Sequence, residues 1–292
     1  MKSLTPFNST RTAWKHLNPR EVREQSERPL NVALVSNDPA VLAAMREFLC
    51  PASYSSLKCQ QVSSMLHGVA PTARMGQYDL EIWDAALPQP ETVFSFDPKR
   101  PEACVADILA KRSELALPLA RHFHPFRKPV IDGIIRMIAK ENSMFSLATA
   151  LPDIVPFLSI PWAVGEFASD MVFLTMNQVR MAFLIAGASD HAIGYSHQKA
   201  EIGSILGGAF GFRAIARELV GHIPLGGGLI PKAAIAWSGT FVVGRSMERL
   251  YSLGYAFTES ERKSAVAAAF EKGKEFVVSL LQSLRSPQTS SR

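Results

Sequence analysis

Several things are scarce in this chain of 292 residues, and each scarcity removes a class of function. Only three cysteines occur, Cys50, Cys59 and Cys104, and no two form a Cys-x-x-Cys pair. That excludes a thiolate zinc knuckle. An odd, scattered set predicts free thiols in a reducing compartment, packed as small hydrophobes. Dense runs of Lys and Arg are also missing. The net charge of +5 is spread as 14 basic and 13 acidic residues up to Pro125, then 17 and 13. This leaves no basic stripe of the kind a nucleic acid needs, so no nucleic-acid partner is expected. The same mild excess suits anionic lipid. The first 28 residues hold nine charges and no apolar core, which predicts no cleavable signal peptide.

Catalytic motifs are scarce as well. No Gly-x-Ser-x-Gly elbow occurs. The strand-turn-helix at Val32 to Leu49 has the outline of a P-loop. Yet Ser36, Val41, Leu42 and Ala43 stand where the glycines, the lysine and the magnesium-binding hydroxyl would fall. A degenerate P-loop of this kind holds no nucleotide. The same stretch, with Tyr78 to Pro88, resembles a two-component receiver. That resemblance would put Ser36 and Asn37 at the magnesium-binding acidic pair and Asp84 at the phosphoacceptor, with most of the metal-holding charge lost. Read without it, Asp84 is a solvated acid at a strand end. His122 and His124 form a surface or hinge pair in a His-Phe-His-Pro turn, short of the ligands a metal wants. No enzyme activity, cofactor or metal is expected.

What is present falls into two parts. Residues 1–29 are polar and aperiodic and are expected to be a mobile arm. From 30 to 125, strands and helices alternate: strands at Leu30–Val35, Tyr78–Ala85 and Thr92–Phe96, helices at Val41–Leu49 and Pro101–Arg112. Asp38 is the expected N-cap and Pro39 the first helical residue. The pattern predicts a small α/β domain with a largely parallel sheet, a degenerate doubly wound fold. From 126 to 285 the period becomes helical, in an all-α, strongly apolar domain, and 286–292 form a disordered tail. The overall class expected is α+β.

The helical part carries its own signals. At 100° per residue, Glu166, Asp170, Asn177 and Arg180 share a narrow polar stripe on an otherwise apolar helix. Such a stripe points inward to paired groups, as a hydrogen-bond network or as an ion route. Gly203, Gly207 and Gly211 recur every four residues, a face on which helix backbones can approach closely. Gly226, Gly227 and Gly228 make an inter-helix turn. Thr258 and Glu261 form a capping box for the last helix. Asn142 to Gly165 spans 24 residues with Asp153 as its only charge, but Pro152, Pro156 and Pro161 break it. After Pro129 the longest run without Asp, Glu, Lys or Arg is Leu219–Pro231, 13 residues, too short for a plain span. Broken or re-entrant helices, or a bundle partly in the membrane, suit this profile.

These residues carry a resemblance. Leu147 through Tyr251 resembles the helical domain of unknown function found behind the G domain of some bacterial Era-like GTPases and in YcjF-type inner-membrane proteins. The matching features are Leu151-Pro-Asp-Ile-Val-Pro, Asp170, Leu174-Thr175, Gln178 and Met181, then Ile223-Pro224, Gly226 to Gly228, Thr240 to Gly244 and Tyr251. They cover about a third of the chain and lack an intact G domain upstream. The resemblance implies membrane association; the expected place is the cytoplasmic face of a bacterial inner membrane, with membrane lipid as partner and a second copy or a GTPase as further partners. It implies no defined reaction. A soluble cytoplasmic interaction protein with a buried bundle is the first alternative. The second is an enzyme or ion-pathway protein using Asp153, Glu166, Asp170 and Arg180.

Overall fold

A computed structural model describes residues 18–72, 78–150, 170–205, 207 and 229–285. The chain divides into two compact units. One comprises Val22–Asp132 with Gly187–Ala192; the other comprises Met1–Glu21, Gly133–Ala186 and Ile193–Arg292.

The α/β unit is built on β1 (Val32–Val35), β2 (Leu66–Val69), β3 (Leu80–Asp84) and β4 (Phe94–Phe96). All neighbours are parallel and the order is β2-β1-β3-β4. That order matches the first four strands of a flavodoxin-like doubly wound sheet. β1 is buried at all four positions, as its continuous Val-Ala-Leu-Val run requires of a central strand. Three strands and two helices stand near their expected places. The helices are α1 (Pro19–Glu27), α2 (Pro39–Leu49), α3 (Ser56–Ser63), α4 (Pro101–Lys111) and α5 (Ala116–His122). Asp38 caps α2, its Oδ1 accepting from Ala40 N at 2.8 Å. A cap of this type contributes about 1 kcal/mol.

Two elements escaped the sequence pattern. β2 buries only its first residue, and α3 buries only Val62, so neither carries a readable apolar period. A third difference concerns the expected irregular arm, which holds α1 from Pro19. Asn18 Oδ1 accepts from Arg20 N at 3.0 Å, and proline stands at the first helical position. Its one aliphatic residue is Val22, too little for an apolar face, but those end signals were legible. The core of this unit is filled: a void of about 10 Å³ lies among α2, α4, the sheet and Phe126, barely the space of one water.

The helical unit takes α6 (His124–Ala150) from Gly133 onward, with α7 (Asp170–Ala188), the helical residues 199–205, α8 (Leu229–Leu253) and α9 (Glu259–Arg285). The expected boundary between the two parts lies after Pro125, where the period turns helical. Instead α6 runs through Pro125 and Pro129, and the division falls at Asp132–Gly133. Pro125 falls in the first turn, where its missing N–H leaves no bond unmade, and Pro129 sits inside the helix, where it removes one. Ile134, Ile135 and Ile138 then supply the buried face. Phe145 and Phe173 stack with centroids 3.9 Å apart. Ala139, Trp237, Val242, Val266 and Ala269 form one cluster; Leu147, Ala233 and Val277 form another. The capping box holds: Thr258 N donates to Glu261 Oε2 at 2.9 Å, and Glu261 N donates to Thr258 Oγ1 at 3.3 Å. Among the described residues, no helix is long and apolar enough to cross a membrane.

Candidate functional site

The helical unit contains a buried polar ladder beside an apolar cleft. α6 offers Glu141 and Asn142 in succession; α7 offers Asn177 and Arg180, three residues apart and so on one face. Asn177 Nδ2 donates to Asn142 Oδ1 at 2.8 Å, and Asn142 Nδ2 donates to Thr240 Oγ1 on α8 at 2.8 Å. Asn142 also donates to the Leu174 carbonyl at 3.4 Å, and Gln178 Nε2 reaches Thr240 at 3.5 Å. All three central residues, Asn142, Asn177 and Thr240, are buried. Arg180 pairs with Glu141 at 3.1 Å. Burial pushes the Glu141 carboxyl up, while the Arg180 guanidinium pulls against that shift.

Neutral amides and a hydroxyl, each answering another, fix three helices in register. They present no titratable group to a moving ion. Of the polar stripe, Asn177 and Arg180 therefore have structural partners, and the hydrogen-bond network is what the geometry favours for them. Asp170 begins α7, and Glu166 lies outside the described residues. The partners Asn142 and Thr240 were missed in sequence because a lone polar residue on an apolar helix names no companion.

Next to this ladder a cleft of about 260 Å³ opens among α7, residues 199–205, α8 and α9. Among the described residues its walls are mostly apolar: Leu174, Ile205, Val242, Val243, Leu250 and Val266. Its few polar groups are largely engaged. Tyr251 Oη donates to Glu201 Oε1 at 2.9 Å, and Ser246 Oγ accepts from Phe257 N at 3.2 Å. Burial, and then the Glu201 carboxylate, push the Tyr251 phenol up, so it stays a neutral donor. Exposed Arg262 also lines the cleft. The end of α8 and the connection to α9 carry two exposed large side chains, Leu253 at 58% and Tyr255 at 53%, beside the lining residues Leu250 and Ala256.

The glycines divide in a way the sequence did not reveal. Gly203 and Gly207 are exposed, and a Cβ built on either meets nothing within 4 Å. No described residue packs on them. Gly211 lies outside the described residues, as do Gly226, Gly227 and Gly228. Close approach occurs instead at Gly244, where a Cβ would lie 2.7 Å from Ile135 Cγ1 and 3.0 Å from Met181 Sδ. It also occurs at Gly273, where a Cβ would lie 2.9 Å from the Ala234 carbonyl.

In the α/β unit, the crevice at the carboxyl ends of β1 and β3 is where doubly wound sheets bind ligands. Ser36 Oγ donates there to Asp84 Oδ2 at 2.7 Å, and Asp84 Oδ1 accepts from Ala86 N at 2.9 Å. Asp84 is 7% exposed, so it is a buried, satisfied carboxylate and not the solvated acid expected. His122 also departs from expectation. It is 2% exposed, and its Nε2–H donates to the Arg28 carbonyl at 3.2 Å, while His124 is exposed. Burial, with the Lys58 ammonium nearby, pushes His122 down to about 4. Asp153 lies outside the described residues; among those described, no three His, Cys, Asp or Glu side chains gather as metal ligands. Comparison with protein-family models, curated proteins and solved structures finds no match to this chain.

Proposed function

We propose that this is a non-enzymatic bacterial protein that associates with membrane lipid, its helical unit taking one acyl chain into the α7–α8–α9 cleft. The observation that carries the reading is the cleft itself: about 260 Å³, mostly apolar-walled, with Glu201 and Ser246 among its polar groups already engaged by Tyr251 and the Phe257 backbone. Ligand sites usually place a few free polar groups in an apolar wall to orient a polar substrate. Here the wall suits a chain without polar groups. Leu253 and Tyr255 stand exposed at its side, and Arg262 offers a cation for an anionic headgroup. An aromatic with a polar tip suits a lipid–water boundary. The net charge of +5 favours the same surface. The resemblance to YcjF-type helical domains adds the cytoplasmic face of the inner membrane as its place, and a GTPase or a second copy as a further partner.

The test is co-sedimentation of the full chain with vesicles of anionic or neutral lipid, with mass spectrometry of lipid retained after purification. Binding to anionic vesicles and a retained acyl lipid are expected. Val243→Phe, which fills the cleft, loses the retained lipid; Leu253→Ser with Tyr255→Ser weakens sedimentation. A full-length protein that is monodisperse without detergent, stays in the supernatant with both vesicles and retains no lipid overturns the proposal. A soluble interaction protein is then the better reading.

A further inference from the structure

Of three cysteines that look scattered in sequence, two meet in space. Cys50 closes α2 and Cys59 lies in α3, and their sulfurs are 3.3 Å apart. Cys50 Sγ–H points to Cys59 Sγ, and Cys59 Sγ–H points to the Tyr54 carbonyl at 3.9 Å. Both are half-buried, whereas Cys104 is 4% exposed. A disulfide needs its sulfurs at about 2.05 Å, so closure asks for a movement of little more than an ångström. The segment between them is a turn and the first residues of α3, exposed at 52, 53, 55, 56 and 57, able to give that distance. Cys50 and Cys59 are within reach of solutes; Cys104 is not.

We propose that Cys50 and Cys59 are a reversible dithiol–disulfide pair, oxidised by low-molecular-weight disulfides. The Cys59 thiolate attacks one sulfur of the small disulfide, forming a mixed disulfide and releasing the first small thiolate. Cys50 then gives up its proton and attacks Cys59 Sγ, expelling the second thiolate. The protons lost by the two cysteines end on the two released small thiols, and one disulfide has been exchanged for another. Burial and the neighbouring Cys59 push the Cys50 thiol up to about 11. This suits Cys50 to the second, intramolecular step, where proximity replaces thiolate abundance. The bridge also acts on a loaded part of the fold. Lys58, adjacent to Cys59, pairs with Asp190 at 2.8 Å and donates to the Arg121 carbonyl at 3.3 Å. Cross-linking α3 therefore stiffens the anchor of the 187–192 segment.

The experiment equilibrates the full chain with mixtures of reduced and oxidised glutathione, followed by alkylation and peptide mass spectrometry. A linked Cys50–Cys59 peptide, lighter by two hydrogens, is expected, with Cys104 alkylated only after unfolding. Cys50→Ser stops the reaction at the mixed disulfide on Cys59, raising that adduct from a trace to the main product. Hydrogen exchange in residues 51–55 and 187–192 slows on oxidation, and reduction restores it. Separate glutathione adducts on both cysteines, or no reaction at either, overturn the pair. Unchanged exchange at 187–192 overturns the coupling to that segment.

Discussion

His122 illustrates how one side chain changes character with its surroundings. In sequence it belongs to a polar His-Phe-His-Pro turn; in the fold it ends α5 with its ring under cover. A folded value of about 4 against the ordinary 6.5 means that only the unfolded chain takes up a proton in that window. Above about pH 6.5 the imidazole is neutral in both states and contributes no pH dependence. As pH falls from about 6.5 to about 4, stability falls with it, and below the folded value the loss levels off. Urea midpoints of the parent and His122→Gln across pH 7.5 to 3.5, roughly bracketing both values, isolate this contribution. The difference between the two proteins should change only inside the window. A difference that stays flat would show that His122 is not held neutral by burial.

At the scale of an element, glycine means different things in different helices. Helix propensity alone says that Gly→Ala stabilises by up to about 1 kcal/mol anywhere in a helix interior. That holds for Gly203 and Gly207, where the added methyl meets open space among the described residues. At Gly244 the methyl would press on Ile135, a branched side chain on a buried helix face, and on Met181. Overpacking of that kind costs about 1–3 kcal/mol and outweighs propensity. Thermal melts should therefore show Gly203→Ala at or above the parent, and Gly244→Ala below it by several degrees. If Gly203→Ala falls as far as Gly244→Ala, the exposed glycines are also a packing face. The sequence displayed the regular Gly203–Gly207–Gly211 spacing and gave Gly244 no such prominence, because spacing reports which face a residue is on, not what lies opposite. The Asn142–Asn177–Thr240 ladder was hidden for the same reason. Its donors and acceptors come from three helices separated by long stretches of chain.

For the whole molecule, the α/β unit is discontinuous in sequence. Gly187–Ala192 belongs to it although fifty-four residues of chain intervene after Asp132. Asp190 adopts a left-handed backbone, φ 63°, which costs a non-glycine residue about 1 kcal/mol or more. It is held by Lys58 at 2.8 Å and Arg121 at 3.5 Å, both largely buried cations. Arg121 also donates to the carbonyls of Gly187 and His191. Asp190→Asn keeps the tolerance for that backbone and removes the charge. It is expected to cost about 1–3 kcal/mol, because the two cations lose their shared counter-ion. Urea unfolding of the full chain measures it; an unchanged midpoint would mean that the ion pairs do not hold this segment.

The sequence by itself determined what depends on neighbours along the chain. The central strands, the capped start of α2 and the Thr258–Glu261 box all follow from residues a few positions apart. The tertiary structure decided what depends on distant partners. It brought Cys50 beside Cys59, sealed Asp84 with Ser36, buried His122 and opened the cleft between four helical segments. Local propensities and caps are set by short-range sterics and hydrogen bonds, which a linear pattern records. Burial, pairing and free volume are set by which surfaces meet, and no residue carries that information alone.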